Sequence, residues 1–546
     1  MRRTHLILGV LTAGGAQSAP CPSFVFWSSS TEHGAASRPH RRRQVGGAIE
    51  NPTGSSRIRI SPSIRRLHST TDSEICEETS RSVAATALQK SGKKKAANSA
   101  AQQLESLPAF ANLAEQRDRS FARNLVATVE RRMGQIDKIL GLCADKYPPR
   151  GKHAPLVQAA LRLGAAQLLF LDAPPHAAIK ETVDLLKIKR PGQKLLPPEA
   201  MVRFVNAILR RIQREKDSLL AQTSSKDNIA DWLVDEWIEC WGEDSIDVIA
   251  DQLMQEPHID LSVNLGPQMS VSAAMEKLQN MANEFGDDAL ILPNNSMRVG
   301  RDMKGAVSNW PGYDQGEWWV QSAASTLPAI GLINALKDQH GGDASSFEDM
   351  HIVDCCAAPG GKTAQLLAAG FGRVTAIEAN ARRSRRLVEN MERLQLTDRC
   401  EVVVSEGQEW LPSQSSDDIA GILVDVPCSA TGTGMRRPDV LRRDSDLGNL
   451  PEVQEALLNH CANNLLKVGG VLVFATCSLL KHESEDQVSK LLQRGTMKTI
   501  PFVPGEIGGF DGAIDDNGWL RVLPGVMESP MNSVDGFFVA RLQKIG

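Results

Sequence analysis

Asp354-Cys355-Cys356-Ala357-Ala358-Pro359-Gly360-Gly361-Lys362-Thr363 is the stretch that decides how this chain folds. A short β-type run over 351–353 precedes it, and a helix-forming run over 363–369 follows. It therefore reads as a Gly-rich turn from strand to helix. Gly360 and Gly361 let a ligand approach the backbone, and the helix that follows offers unpaired N–H groups in its first turn. The turn contains neither GxGxxG nor GxxxxGK[ST], which disfavours a dinucleotide or a nucleoside triphosphate.

Outward from this turn, strands and helices alternate from about residue 325 onward, the pattern of a doubly wound, mostly parallel α/β domain. Strands are expected over 351–353, 374–377, 401–404, 420–424 and 471–474, and helices over 363–369, 381–394, 451–467 and 483–493. Two closing runs, Trp519-Leu520-Arg521-Val522 and Phe537-Phe538-Val539-Ala540-Arg541-Leu542, are expected as an antiparallel edge. From about 80 to 216 the pattern is helical, with Ala159-Ala160-Leu161-Arg162-Leu163-Gly164-Ala165-Ala166-Gln167-Leu168-Leu169 as its central helix. Between 225 and 324 the composition shifts. Trp232, Trp237 and Trp241 share one helical face there, a spacing that favours packing over base stacking, and a short strand is expected over 259–264.

A length of 546 residues fits about three domains, and 42% hydrophobic with 23% charged residues is an ordinary globular balance. Ten cysteines are too few for a disulfide scaffold, and no four have zinc-finger spacing, so reduced thiols and no metal are expected. The longest apolar run, 156–171, is too short to span a bilayer and is broken by Gln158, Arg162 and Gln167. Net charge is −4, but residues 1–70 hold ten Arg, no Lys and only Glu32 and Glu50 as acids. The remainder carries 51 basic and 63 acidic residues, so any contact with RNA must be a local basic patch. The leader, taken as 1–75, is rich in Arg and Ser and poor in acids, which is the composition of an organelle-targeting segment. Ile64-Arg65-Arg66-Leu67-His68-Ser69-Thr70 has the character of a mitochondrial presequence, while the apolar run from Leu6 to Leu11 fits a two-part plastid leader. Lys93, Lys94 and Lys95 read as a solvated linker.

Chemistry concentrates at the strand ends, where open α/β sheets bind ligands. S-adenosylmethionine carries no phosphate, and its carboxylate suits a helix N-terminus together with Lys362. Glu378 follows the second expected strand, where an acid can accept both ribose hydroxyls, with Arg383 five residues on. Glu406 follows the third, near the expected adenine position. Each acid alone reads as a solvated loop residue; their order after successive strands makes them a ligand set. Asp425 ends the fourth strand in Asp425-Val426-Pro427-Cys428-Ser429, placed to hydrogen-bond the Watson–Crick edge of an extruded cytosine. Cys477 ends the fifth in Thr476-Cys477-Ser478. Carbon 5 of cytosine is a poor nucleophile until a thiolate adds at carbon 6, so methylation there needs an activated, partly exposed cysteine. A lone cysteine is as readily a packing residue; two at strand ends beside a cofactor turn point to catalysis. The residues leave open which sulfur attacks, since a Pro-Cys turn like that at Cys428 holds the nucleophile of DNA cytosine methyltransferases. They also leave open a non-catalytic RNA-binding assembly factor. A nicotinamide oxidoreductase is disfavoured by the missing phosphate fingerprint. Arg436, Arg437, Arg442 and Arg443 follow Cys428 closely and are candidates for RNA phosphates.

DCCAAPGGKT at 354–363, DVPCSATGTGMRRPDV at 425–440 and ATCSLLKHESEDQV at 475–488 closely resemble the motifs of the RsmB (Sun/Fmu) rRNA cytosine-5 methyltransferases. Leu161-Arg162-Leu163-Gly164, Pro174-Pro175-His176-Ala177-Ala178-Ile179-Lys180-Glu181-Thr182-Val183 and Asn206-Ala207-Ile208-Leu209-Arg210 resemble the NusB-like RNA-binding domain. The resemblance covers about 80–546. It implies an all-α NusB-like domain over 80–220, a small α/β connector over 225–324, and a class I, Rossmann-like methyltransferase domain over 325–546. It further implies Cys477 as nucleophile and Cys428 as the aid to product release. Cofactor contacts are implied from Cys356, Ala357, Ala358, Pro359, Gly360, Gly361 and Lys362, and from Glu378, Glu406 and Asp425. The implied substrate is small-subunit rRNA, with another RNA such as tRNA as the alternative, and a monomer is expected. Glu378 and Glu406 stand where the family usually has Asp, which lengthens their reach, and Val426 replaces the usual Ala. Ser262 stands where Arg is frequent and Ser322 where an acid is usual, so junction contacts should depart from the family pattern.

Overall fold

The computed structural model describes residues 78–546 apart from 92–98, 190–194, 268, 302, 304, 343, 413–418 and 446. The expected leader and the Lys93–95 run lie outside the described residues. The N-terminal helices are α1 (Ser80–Ser91), α2 (Ala100–Glu105), α3 (Pro108–Ala111), α4 (Gln116–Arg131), α5 (Met133–Cys143), α6 (Ala154–Leu169), α7 (Pro175–Asp184), α8 (Glu199–Arg214) and α9 (Lys216–Leu220). α6 is apolar on nearly every side because α1, α4, α5, α7 and α8 all pack around it. α8 instead buries one stripe, with Val202, Val205, Leu209 and Ile212 at steps of three and four. Each such side chain contributes roughly 1.5–3 kcal/mol on burial. A Cβ at Gly164 would sit 2.6 Å from the Leu209 methyls, so the glycine sets how closely α8 approaches.

The stretch expected as a connector divides between two cores. Helices α10 (Asp231–Trp241) and α11 (Glu243–Leu253) pack with Met435, Val440, Leu441, Leu479 and Leu480, residues that follow the two strand-end cysteines. Trp237 is fully buried, Trp232 Nε1 donates to the Arg443 carbonyl (2.8 Å), and Trp241 Nε1 donates to that of Leu479 (3.0 Å). The tryptophans thus brace the segments that follow the two strand-end cysteines by packing and by hydrogen bonds. The second core joins α12 (Val271–Phe285) to an antiparallel sheet of β1 (Asp260–Val263), β2 (Leu290–Ile291), β3 (Met297–Arg298) and β4 (Trp318–Val320), in the order β2-β3-β1-β4. Its junction with the C-terminal domain runs through Gln321, which accepts from Ser262 (3.0 Å) and Trp319 (2.6 Å) and donates to Gln365 (2.6 Å). A buried Arg298–Asp260 pair at 2.8 Å ties the same edge to the carbonyl of Pro530. The hydroxyl of Ser322 is buried without a hydrogen-bond partner.

The C-terminal domain runs α13 (Leu327–Gln339), β5 (His351–Cys355), α14 (Gly361–Ala368), β6 (Arg373–Ile377), α15 (Ala381–Arg393), β7 (Cys400–Val403), β8 (Ile419–Asp425), α16 (Leu450–His460), β9 (Val471–Thr476), α17 (Glu485–Leu492), β10 (Met497–Thr499), β11 (Leu520–Val522) and β12 (Phe537–Lys544). The sheet order is β10-β12-β9-β8-β5-β6-β7, parallel from β9 to β7, with β12 antiparallel to β9, β10 and β11. This is the expected Rossmann-like sheet with its antiparallel edge. Several bounds differ from the sequence reading, two of them in ways that shape the site and its core. β5 extends to Cys355, paired with Ile377 and Val424, so Asp354 and Cys355 belong to the strand and only Cys356 opens the turn. The helix expected over 451–467 ends at His460 and continues as a wide π turn, Cys461–Leu465, which turns Cys461, Ala462 and Leu465 into the core.

Candidate active site

Chain order reverses between β5 and β8: β6 and β7 lie on one side of β5, and β8 and β9 on the other. The crevice at that switch point, beyond the carboxyl ends of the strands, is where ligands bind in such sheets. Cys356 leaves β5 on one side of it with φ +62°, and Asp425 ends β8 on the other. β8 and β9 are neighbours, with Asp425 in register with Ala475, so two motifs far apart in sequence meet. Cys428 Sγ and Cys477 Sγ lie 3.5 Å apart, and both side chains are only partly buried. The Cys477 thiol is held well above its ordinary range by its hydrogen bond with Cys428, by burial and by the nearby Asp425 carboxylate; the Lys362 ammonium works the other way.

Lys362, in the first turn of α14, is paired with the end of β8. Its Nζ donates to Asp425 Oδ2 at 2.7 Å and lies 5.5 Å from the Phe537 ring centroid. Burial disfavours the ammonium, but Asp425 more than offsets this and keeps it charged. The pair thus fixes the carboxylate beside the two sulfurs. The turn itself keeps its expected form. Gly360 is left-handed (φ +102°) where a Cβ would meet Leu387 and Met391 at 3.1 Å. No side chain caps α14, which leaves the first-turn N–H groups available. Ala357 N donates to the Ile377 carbonyl, and the Ala358 and Pro359 carbonyls accept from Arg383 (2.6 Å) and Asn390 (2.8 Å). Burial pushes the Cys356 thiol up, with the Asp425 and Glu378 carboxylates acting in the same direction.

Glu378 is 3% exposed at the end of β6 and accepts from Asn380 N (2.9 Å) and Arg383 (3.3 Å), while its Oε2 is buried with no hydrogen-bond partner. Arg383 therefore bridges Glu378 to the turn. Glu406 lies exposed just beyond β7.

The arginines expected at RNA separate into two groups. Arg436 is spent on Asp535 at 2.9 Å, and Arg442 donates to the carbonyl of Glu130 in the helical bundle at 2.5 Å. Arg437 and Arg443 are about half exposed and share Asp439, each at 3.1 Å.

Sequence alone does not single out Glu483. It is fully buried, and its carboxylate accepts from Ser429 N (2.9 Å), Ser429 Oγ (2.5 Å) and Gln454 Nε2 (3.0 Å). Gln454 also donates to the Pro427 carbonyl (2.9 Å), and Ser429 Oγ lies 3.0 Å from Ser478 Oγ. The two cysteine-bearing turns are therefore clamped together from behind. Only the spacing of Glu483 six residues past Cys477 hints at this, and an acid within Glu483-Ser484-Glu485-Asp486 reads as surface. Among the described residues no cluster of His, Cys, Asp and Glu has metal-holding geometry, and no helix is long and apolar enough to cross a membrane.

The model of the 16S rRNA methyltransferase RsmB/F family matches residues 345–543, and that of the NusB family matches 78–214. Ribosomal RNA small subunit methyltransferase B of Cronobacter sakazakii is 32% identical over 451 residues, spanning 80% of this chain and 93% of its own. The chain belongs to the RsmB/F family. The Shewanella oneidensis relative of the same name is 32% identical over 445 residues, spanning 79% of this chain and 92% of its own. The solved structure of PH0851 shares the fold, with a TM-score of 0.60 at 19% identity, covering 86% of this chain and all of that one. As an RsmB/F-family member the protein is an S-adenosylmethionine-dependent rRNA methyltransferase. Its residues fit that cofactor. The buried Glu378 Oε2, ion-paired with Arg383 but without a hydrogen bond, can still accept from a hydroxyl donor such as ribose, and the uncapped first turn of α14 suits a carboxylate.

Proposed function

We propose that this RsmB/F-family protein methylates carbon 5 of a cytosine in small-subunit rRNA through a transient bond between Cys477 and carbon 6 of the base. The observation that carries this reading is the meeting of Cys477, Cys428 and the Lys362–Asp425 pair at the ends of β8 and β9. Bound S-adenosylmethionine supplies an electrophilic methyl group. Asp425, held by Lys362, is suited to accept a hydrogen bond from the cytosine's amino edge, and the Lys362 ammonium beside it offsets the negative charge that develops on the ring as sulfur adds at carbon 6. Attack by the Cys477 sulfur at carbon 6 makes carbon 5 electron-rich. The resting thiol is neutral, so its proton must leave as the carbon–sulfur bond forms, and the rate of attack should rise with pH. Cys428, one sulfur away, is positioned to assist loss of the carbon 5 proton, after which the carbon–sulfur bond breaks and Cys477 is restored.

Trapping on rRNA carrying 5-fluorocytosine tests the assignment, because fluorine cannot leave as the proton does. A covalent protein–RNA adduct is expected in Cys428→Ala and none in Cys477→Ala. An adduct that instead requires Cys428 reverses the roles of the two sulfurs and overturns the assignment.

A further inference from the structure

A cavity of about 700 Å³ opens where the helical bundle, the antiparallel connector sheet and the methyltransferase domain meet. Its lining includes Ala127 and Arg131 of α4, Val320 of β4, Gly361 of the cofactor turn, Arg393 of α15 and Arg437. Glu378, Asp425 and Cys477 do not line it, so it is a space separate from the reaction centre, with one wall shared with the cofactor turn.

Its charge is unevenly satisfied. The acids on its wall are occupied: Glu105 by Arg123 (2.6 Å), Asp439 by Arg437 and Arg443 (3.1 Å each), and Glu130 by the N–H groups of Ala100 (2.6 Å) and Ala101 (3.3 Å). The cations keep donors in hand. Arg131 is 9% exposed, its Nε is buried with no hydrogen-bond partner, and its other nitrogen makes a long 3.5 Å bond to the Met435 carbonyl. Arg393 Nε is likewise buried without a partner, although its NH1 donates to the Tyr313 (2.8 Å) and Trp318 (3.1 Å) carbonyls. Those two Nε atoms are turned away from solvent, but the guanidinium groups that carry them line the recess together with the half-exposed Arg437, and their charge suits it to an anion. Between these cations Ile259, Val307, Val320 and Leu394 supply apolar wall, the surface a flat ring needs. An anionic group joined to a flat apolar ring describes a nucleotide, and 700 Å³ is of the size such ligands occupy.

Specific RNA recognition generally works on unstacked bases held in protein recesses. Arg437, on the cavity wall, lies nine residues past Cys428, and Gly361 belongs to the cofactor turn, so RNA seated at the reaction centre passes this opening. We propose that the three-way cavity receives a nucleotide of the rRNA that flanks the methylated one, its base in the apolar recess and its phosphate against the guanidinium groups. This rests on the rRNA methyltransferase reading and adds a second RNA subsite to it.

The test uses the full chain and a small-subunit rRNA transcript, with binding read by filter retention and methylation read separately. Val320 is 49% exposed, so charge there should not disturb the fold. Val320→Glu is expected to weaken RNA retention about tenfold at ~0.15 M salt, and Val320→Lys to hold or tighten it. Ala127→Trp, which fills the recess, is expected to weaken retention several-fold at every salt concentration. S-adenosylmethionine affinity, measured alongside, should stay within twofold in all three and shows that the domain remains folded. Retention unchanged in all three variants overturns the subsite, as does equal loss in Val320→Glu and Val320→Lys. Wild-type protein that binds and methylates rRNA while the variants behave alike sinks this proposal alone. Wild-type protein that leaves rRNA unmethylated sinks the functional reading, and the retention series still decides the subsite.

Discussion

Asp354 is wholly buried in β5, accepting from Thr363 Oγ1 at 2.6 Å, and burial pushes its carboxyl from 3.8 up to about 7. Between those values the folded chain holds a proton that the unfolded chain has released, so this residue's contribution to stability falls as pH rises through the window. Asp354→Asn removes the titration and keeps an acceptor for Thr363. The variant should melt several degrees above wild type at pH 8, at about 2–4 °C per kcal/mol for a chain of this size, and gain only about a third as much at pH 5. Melting curves at the two pH values check this; an equal gain at both would mean that charge burial is not the cause. None of this is legible in the sequence, where Asp354 looks like the first residue of a polar turn. The pairing of Lys362 is illegible for a related reason. Its partner Asp425 is 63 positions away, and only the adjacency of β5 and β8 brings them together. By contrast, the cysteines are legible, because a thiol directly after a β-type run lies at a strand's carboxyl end whatever the order of the strands.

At the scale of elements, the loop after β8 is keyed to the loop after β9 by a glycine. Gly432 N donates to the Cys477 carbonyl (2.9 Å) and its own carbonyl accepts from Gly536 N (2.8 Å). A Cβ there would lie 2.5 Å from the Gly536 oxygen and 2.7 Å from the Cys477 oxygen, both backbone atoms that cannot rotate away. Gly432→Ala must therefore push the two loops apart, at about 1–3 kcal/mol of stability. On the proposed mechanism it should slow adduct formation on 5-fluorocytosine RNA by tenfold or more, because the backbone of Cys477 is what moves. A wild-type melt together with wild-type trapping would show that the contact is not rigid. The strands themselves are legible from apolar runs and turn residues, usually short by one or two positions at the carboxyl end. Those last positions carry Asp354, Asp425 and Thr476, whose polarity reads as loop but whose pairing continues the sheet. The clamp through Glu483 and the π turn at Cys461 depend on which side of α16 faces the sheet, which no local pattern states.

Over the whole molecule, the acidic balance of the chain beyond residue 70 makes sense if cations are placed rather than numerous. Arg436 and Arg442 are expected at RNA because sequence shows charge without its partner, and in the fold both bind protein groups. We propose that the Arg-rich leader is an organelle address, which would be read directly from the N-terminus of the protein isolated from its native compartment. Among the described residues, polar ties from the helical bundle reach the segment before α10, through Gln135 with Asn228 (2.9 and 3.0 Å) and Lys138 with Asp227 (2.8 Å), and the rest of the molecule, through Arg442 to the Glu130 carbonyl (2.5 Å), Arg131 to that of Met435 (3.5 Å) and Arg132 to that of Met254 (3.3 Å). Arg442 is the most consequential, since burial disfavours its charge and Glu130 provides the main compensation. Arg442→Ala leaves the Glu130 carbonyl without that donor and opens a void behind the loop that carries Arg437, weakening the docking by about 1–3 kcal/mol. The bundle should then become separable from the methyltransferase domain by brief proteolysis near residues 215–230, while S-adenosylmethionine binding is retained. Methylation of rRNA should require several-fold more RNA, because the bundle wall of the cavity is no longer held opposite the cofactor turn. Should Arg442→Ala resist protease as wild type does and methylate at the same RNA concentration, the bundle is held by its remaining contacts, and its orientation does not depend on this arginine.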